Sequence, residues 1–249
     1  MNKPLTGKVA LVTGGSRGLG AATVRLLADQ GADVAFTYVS SDQQAQAIAD
    51  EVQAKGAKVA AFKSDQADTS QAPALIDNVI AHFGALDILV NNAAISVSGT
   101  VDDPDADTAA LDRMHATNYL GVIAIIRAAS QVLREGGRII TVSSGLGTRV
   151  GVPGVADYAA TKAGIERYTM GVARDLGSRG ITANVVEAGL MEGGMDAPDP
   201  ETLKALLSSL SLQRMGHPDE IAAAIAFLAG PAASYVTGAK LDAHGGYNA

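Results

Sequence analysis

The sequence predicts an α/β protein, a doubly wound parallel sheet with helices on both faces. Three observations carry this expectation. Short β-branched runs alternate with longer Ala-rich stretches. The β-branched runs are nearly continuously apolar rather than alternating, as strands are when both sheet faces are covered. A helical stretch separates each strand from the next, which calls for parallel strands joined by right-handed crossovers.

Strands are expected at 9–13, 33–38, 59–63, 88–91, 138–143, 182–187 and 240–242, and helices at 19–30, 43–55, 72–83, 109–134, 158–178, 201–211 and 218–228. The first strand, VALVT, runs through GGSRGLG directly into the first helix. Gly31, Gly56, Gly84 and Gly180 each follow a helical stretch and suit left-handed C-caps. Asp42, Thr69 and Asp157 precede helical stretches and are the expected N-caps. Pro218-Asp219-Glu220 places a proline at the first helical position and acids in the first turn. Residues 189–213 break the rhythm with Gly, Met and Pro and read as a lid. With no repeat, low-complexity tract or linker, residues 1–249 read as one domain.

Composition narrows the function. Of 249 residues, 47% are hydrophobic and 18% charged, enough to build a sizeable core. There is no cysteine, hence no disulfide framework and no thiolate metal site, which fits a reducing cytosol. The net charge of −7 argues against a nucleic-acid partner, because phosphate contacts need clustered Lys and Arg. His82, His115, His217 and His244 are far apart and form no paired-ligand spacing, so no metal site is expected. The opening stretch MNKPLTGKVALVTGG lacks the apolar core of a signal peptide. The longest apolar run, IAAAIAFLAG, falls far short of the ~20 residues that span a bilayer. A soluble, cytoplasmic protein with no membrane partner is expected.

The glycine loop is the first chemical signal. In an open parallel sheet, ligands bind beyond the carboxyl ends of the strands, where a helix N-terminus offers free N–H groups to a phosphate. The loop is not a nucleotide-triphosphate loop: Gly15 and Gly20 have its glycine spacing, but Ala21 and Ala22 stand where Lys and Ser/Thr are required. Nor does it match GxGxxG; it reads TGxxxGxG, with Thr13, Gly14, Gly18 and Gly20.

The second signal is Tyr158 and Lys162, four residues apart and on one face of a helix. A phenol with a pKa of ~10 is a poor acid–base group near neutrality. A neighbouring ammonium favours the phenolate and brings proton exchange within reach. Ala159, Ala160, Ala163 and Gly164 add little bulk, so a ligand and a partner helix can approach closely.

TGGSRGLG, followed in order by NNAA at 91–94, NYLG at 118–121, VSS at 142–144, YAATK at 158–162 and YVTGAKLDAHGG at 235–246, resembles the short-chain dehydrogenase/reductase family. The ordered set spans essentially the whole chain and is most similar to the 3-oxoacyl-thioester reductase-like subgroup. The resemblance implies a Rossmann-type sheet, a nicotinamide dinucleotide and a homodimer or homotetramer. It implies cofactor contacts at Gly14, Ser16, Arg17, Gly18, Leu19 and Gly20, at Tyr38, Ser40 and Ser41, at Asp65 and Gln66, at Asn92, Ala93 and Ala94, at Tyr158 and Lys162, and at Gly189 and Met191. Asp65 resembles the family's adenine-contacting aspartate; an Asx turn is the alternative. Asn91 is expected to tie neighbouring loops beneath the cofactor.

NADP(H) is expected rather than NAD. The second strand ends at Tyr38 without the acid that would bond a ribose 2′-hydroxyl. Arg17 can instead take a 2′-phosphate, with Ser40 and Ser41 as hydroxyl donors. The implied reaction is reduction of a ketone, ketoester or 3-oxoacyl thioester to a secondary alcohol. Ser144 bonds the carbonyl oxygen, Tyr158 gives the proton, Lys162 tunes Tyr158 and holds the ribose, and Asn118 anchors a water chain. An NAD-linked alcohol or sugar dehydrogenase and a nucleotide-binding regulatory protein with little catalysis are the alternatives. The substrate walls are expected at 95–97, 145–155 and 190–212, largely apolar and without clustered Arg or Lys.

Three departures from the family pattern stand out. Ser144 and Tyr158 are 14 apart (158 − 144 = 14), one more than the common spacing, which leaves Ser143 as a rival serine. The run after the sixth strand carries Ala188 and Gly193 where the family has the proline and threonine of PGxxxT. Ala94 stands where the family has a glycine.

Overall fold

The computed structural model describes residues 3–195 and 199–249. Seven strands, β1 (Val9–Val12), β2 (Asp33–Tyr38), β3 (Val59–Lys63), β4 (Ile88–Asn91), β5 (Arg138–Ser144), β6 (Thr182–Ala188) and β7 (Lys240–Ala243), join one sheet in the order β3-β2-β1-β4-β5-β6-β7. Every pairing is parallel. The order runs outward from β1 on one side and from β4 on the other. The crossovers therefore reverse between β1 and β4, and a crevice opens at the carboxyl ends of those strands.

The helices are α1 (Gly18–Asp29), α2 (Asp42–Ala54), α3 (Gln71–Phe83), α4 (Thr108–His115), α5 (Val122–Ser130), α6 (Ala156–Leu176), α7 (Pro200–Ser208) and α8 (Pro218–Ala229). Two cores explain the continuous apolar strands. Ala10 and Val12 of β1 point into one core with α1, α2 and α8, while Val9 and Leu11 point into the other with α3, α5 and α6. With burial of a Val or Leu side chain contributing about 1.5–3 kcal/mol, a strand loaded on both faces specifies its place in the sheet centre.

Several expectations needed correction. The helix expected over 109–134 is not continuous: α4 gives way to a π-helical turn at Ala116–Gly121 before α5 resumes, and α5 ends at Ser130. The turn sits where Gly121 packs on the backbone of Gln66, leaving no room for a methyl group. Apolar periodicity does not register such a one-residue insertion. Asp42 lies inside the first turn of α2 rather than capping it, and its carboxylate accepts from the Tyr38 hydroxyl at 3.2 Å. Thr69 does not cap α3, whose boundary falls at Ser70. Asp157 lies in the first turn of α6 and is 2.9 Å from His115 Nε2. Side-chain caps come instead from Asp107, Asp199 and His217. Gly31, Gly56, Gly84 and Gly180 all take positive φ, as expected.

The segment expected as a lid, 189–213, includes residues 196–198, which lie outside the described residues, as do the first two residues of the N-terminal arm. Its described part is anchored at both ends. Met191 bridges Gly216, and Leu212 N donates to Gly245 O at 3.0 Å. Among the described residues, no helix is long and apolar enough to cross a membrane.

Candidate active site

A cavity of about 660 Å³ opens at the carboxyl ends of the strands. At one end is the glycine loop, shaped by Thr13. Its buried hydroxyl accepts from Asn92 N at 3.0 Å and Ala93 N at 2.9 Å, joining the ends of β1 and β4. Gly14 and Gly18 have φ of +67° and +51°, a region that side chains disfavour. Gly20 lies so close to Gly14 O and Asn92 that a methyl group would collide with both. α1 begins without a side-chain cap, so its first-turn N–H groups remain for a ligand. Arg17 stands beside them and forms no ion pair among the described residues.

All the expected cofactor residues line this one cavity, including Gly14, Ser16, Leu19, Tyr38, Ser40, Ser41, Asp65, Gln66, Asn92, Ala93, Ala94, Gly189 and Met191. Asp65 makes its Asx turn, accepting from Ala67 N at 3.0 Å, while its carboxylate also pairs with Arg113 Nη2 at 2.9 Å. The loop-tying role expected of Asn91 belongs to Asn92, whose amide donates to Thr13 O at 2.9 Å and Gly14 O at 3.2 Å. Asn91 faces the sheet interior, where among the described residues its side chain donates to Thr141 Oγ1 at 3.4 Å. Successive strand residues face opposite ways, and Asn91 takes the inner side.

At the other end lie Ser144, Tyr158 and Lys162. Lys162 Nζ is 5.5 Å from the centroid of the Tyr158 ring and donates to Val142 O at 3.2 Å. Burial pushes the Lys162 ammonium down to about 8, while Glu166 partly offsets this. Ser144 Oγ accepts from Leu146 N at 3.2 Å, which leaves its hydrogen for a partner in the cavity. Ser143 is 2% exposed, and its hydroxyl donates to Glu166 Oε1 at 2.5 Å. Asn118 is the exception among the expected catalytic residues: it lies behind the wall rather than on it. Its amide group pairs with both backbone groups of Ile95, at 2.8 and 2.9 Å, and reaches Thr161 Oγ1 at 3.4 Å.

A family model described as enoyl-(acyl carrier protein) reductase matches residues 14–248. A Staphylococcus aureus protein named 3-oxoacyl-[acyl-carrier-protein] reductase FabG is 40% identical over 96% of this chain and 97% of its own. A short-chain dehydrogenase from Burkholderia cenocepacia, solved in complex with NADP, superposes with a TM-score of 0.95 at 43% identity, covering 99% of this chain and 100% of that one. The chain belongs to the short-chain dehydrogenase/reductase family. Two further relatives bear on ligands. A blue fluorescent protein from a metagenomic library, in complex with NADPH, superposes with a TM-score of 0.94 at 44% identity, covering 99% of this chain and 100% of that one. An Escherichia coli protein named cyclic-di-GMP-binding biofilm dispersal mediator is 42% identical over 98% of both chains.

The structure shows how this dehydrogenase/reductase carries its departures from the family pattern. Ala94 is not among the residues at positive φ, so its methyl group is tolerated. Gly193, in the threonine's place, has φ +63°, and its carbonyl lies near Gly18 of the glycine loop. The extra residue between Ser144 and Tyr158 is taken up in a loop clasped by Tyr247. The Tyr247 hydroxyl donates to Arg149 O at 3.2 Å, and Arg149 Nη1 donates to Tyr247 O at 2.8 Å. Gly145 and Gly151 lie against the Tyr247 ring and hydroxyl, where a methyl group would clash.

Of the expected substrate walls, Ile95, Ser96, Leu146, Val152, Val155, Leu190 and Leu210 line the cavity. Val97 does not; its N–H turns to Met114 Sδ at 3.3 Å. Sequence reasoning missed Arg113, His244 and Tyr247, which also line the cavity. Spacing could not reveal them, because they arrive from a helix side and from beyond the last strand. His244, Asp242 and Glu187 also converge, with ligand-capable atoms within 4.8 Å of one another. Lys240 already supplies a positive charge there, 2.9 Å from Glu187 Oε1, and His244 Nδ1 accepts from Tyr247 N at 3.1 Å.

Proposed function

We propose that this protein is an NADPH-dependent carbonyl reductase that converts a ketone, ketoester or 3-oxoacyl thioester to a secondary alcohol. The observation that carries the reading is that one cavity joins the uncapped start of α1 to the Ser144, Tyr158 and Lys162 side chains.

The residues present fit a dinucleotide. Glycines leave the backbone open beside free N–H groups, where phosphates bind. Arg17, which forms no ion pair among the described residues, suits a 2′-phosphate together with Ser40 and Ser41, and Asp42, just beyond β2, is 3.5 Å from Lys63. The NADP and NADPH in the Burkholderia and metagenomic structures support the same choice. When bound, NADPH supplies the hydride.

The chain's own groups do the rest. Ser144 donates a hydrogen bond to the substrate oxygen and stabilises the charge that develops there. Tyr158 gives that oxygen its proton, and the Lys162 charge stabilises the phenolate left behind. Asn118 keeps the Ile95 wall against α6. Leu146, Val152, Val155, Leu190 and Leu210 make the substrate end apolar and favour a neutral substrate. The 3-oxoacyl reductase name of the S. aureus relatives supports an acyl thioester among the candidates.

Loss of NADPH absorbance with a panel of ketones, ketoesters and acyl thioesters tests the reading; no turnover with any of them overturns it. A higher kcat/KM with NADH would move the protein to the NAD-linked dehydrogenases. The E. coli relative's name favours a second reading, a nucleotide-binding protein with little catalysis, which predicts tight dinucleotide binding and no turnover. The reading includes a cytoplasmic homodimer or homotetramer. Its support is the exposure of Leu120, Phe227 and Tyr235, and a monomer by light scattering would overturn it.

A further inference from the structure

Behind Ser144 lies a buried carboxyl pair that the reaction as described does not use. Glu166, one helical turn beyond Lys162, is 4% exposed, and Glu187 on β6 is fully buried. Ser143 ties the pair to the site: its hydroxyl is 2.5 Å from Glu166 Oε1 and 3.4 Å from Lys162 O. Glu187 faces Glu166 closely enough that its negative charge raises the Glu166 carboxyl. Glu187 already accepts from Thr148 Oγ1 at 2.5 Å, Lys240 Nζ at 2.9 Å and Asn248 Nδ2 at 3.0 Å. Those donors hold the Glu187 carboxyl below its ordinary value, while burial and the Glu187 charge favour the protonated form of Glu166. The loop after Ser144 is fitted to the pair, with Thr148 on Glu187 and no Cβ at Gly147, where the Glu166 carboxyl lies.

We propose that Glu166 is a positioning residue for this active site: it fixes Ser143, and with it the strand end that presents Ser144, and its ionisation keeps the proton on Lys162. The proposal deepens the reductase reading and rests on it.

The groups facing Glu166 set the direction of the effect. Lys162 comes from its own helix, Ser143 from β5, Glu187 from β6 and Lys240 from β7, the last at 4.0 Å; His244 and Asp242 stand behind Glu187. Burial and the Glu187 charge push the Glu166 carboxyl up to about 7, against the Ser143 hydrogen bond and Lys240. Burial pushes Lys162 down to about 8, and Glu166 opposes it. As pH rises through neutrality, Glu166 gains its charge just below the range in which Lys162 would lose its own.

NADPH affinity, read from its fluorescence on the full-length chain from about pH 6 to about pH 9, tests this without turnover. In the wild type, affinity weakens as Lys162 deprotonates. Glu166→Gln keeps an acceptor for Ser143 but cannot ionise, and its midpoint is expected to move to lower pH by about half a unit or more. Glu166→Asp, which restores the charge, should return the midpoint toward the wild-type value. Ser143→Ala, which leaves the carboxyl in place, should keep it. Superimposable wild-type and Glu166→Gln curves overturn the proposal, as does an equal shift in Ser143→Ala, which would signal general loosening. Failure to reduce any ketone overturns the reductase reading alone, because the binding curves need no turnover.

Discussion

Lys162 holds its ammonium 5.5 Å from the centre of the Tyr158 ring while donating to Val142 O at 3.2 Å. One helical turn brings the pair together, and β5 anchors the lysine from behind. Tyr158→Phe keeps the ring and removes the proton. It is expected to lower kcat by about 10²–10⁴-fold, the usual contribution of a general acid, while leaving NADPH binding within about twofold. Because the Lys162 ammonium is held down to about 8, kcat/KM should fall as pH rises through that region.

The two adjacent serines should behave differently. Ser144→Ala removes the hydroxyl that faces the cavity, and kcat should drop by about 10²–10³-fold, as for loss of an oxyanion donor. Ser143→Ala removes the bond to Glu166 that steadies the strand end carrying Ser144, and should lower thermal stability and reduce kcat by less than Ser144→Ala does. Steady-state kinetics and melting of both variants check this; a larger kcat loss in Ser143→Ala would reverse the assignment.

Arg17 is expected to set cofactor choice. Arg17→Ala should lower kcat/KM with NADPH by roughly ten- to a hundredfold, the range for losing one or two charge-assisted hydrogen bonds at about 1.5–3 kcal/mol. The value with NADH should change little. Parallel kinetics with the two dinucleotides decide it.

Tyr247 should control the substrate loop. Tyr247→Phe loses one hydrogen bond, worth about 0.5–1.5 kcal/mol, and should melt slightly lower. Tyr247→Ala also empties the space against Gly145 and Gly151, and should raise KM for bulky ketones less than for small ones. Kinetics across a series of ketone sizes test this expectation.

The buried pair predicts a pH-dependent difference in stability. The Glu166 carboxyl ordinarily titrates at 4.5 and is pushed up to about 7 in the fold, chiefly by burial. Between those values the folded chain holds a proton that the unfolded chain has lost, so this contribution is fully present below 4.5 and disappears as pH rises through about 7. Glu187 acts in the opposite sense. Burial raises it, but the hydrogen bonds from Lys240 and Thr148 and the Lys240 charge hold it below its ordinary value. The comparison is therefore between two proteins: the Tm of Glu166→Gln should gain on that of the wild type from pH 4.5 to about 7, and a constant difference would contradict the raised Glu166 carboxyl.

Much of the architecture was legible because it rests on local chemistry. Doubly loaded strands such as VALV, glycines at positive φ and a loop running straight into α1 all act within a few residues. The same holds for Tyr158 and Lys162, whose contact follows from helical spacing alone. The break in the 109–134 stretch was hidden because the π-helical turn answers to Gly121 packing on Gln66, 55 positions away (121 − 66 = 55). The misassigned caps have a similar cause: Asp42 and Asp157 serve Tyr38 and His115 rather than their own helix ends.

Strand placement, helix spacing and the cofactor-loop chemistry were determined by the sequence itself, since each depends on neighbours along the chain. Only the tertiary structure decided that the Ser143 hydroxyl is spent on Glu166 while that of Ser144 keeps its hydrogen, that Asn92 rather than Asn91 ties the glycine loop, and that Tyr247 and the buried Glu166 and Glu187 lie beside the site. These outcomes depend on which face of a strand meets the core and on contacts between residues dozens of positions apart. A linear pattern constrains the first only up to the choice of face, and the second not at all.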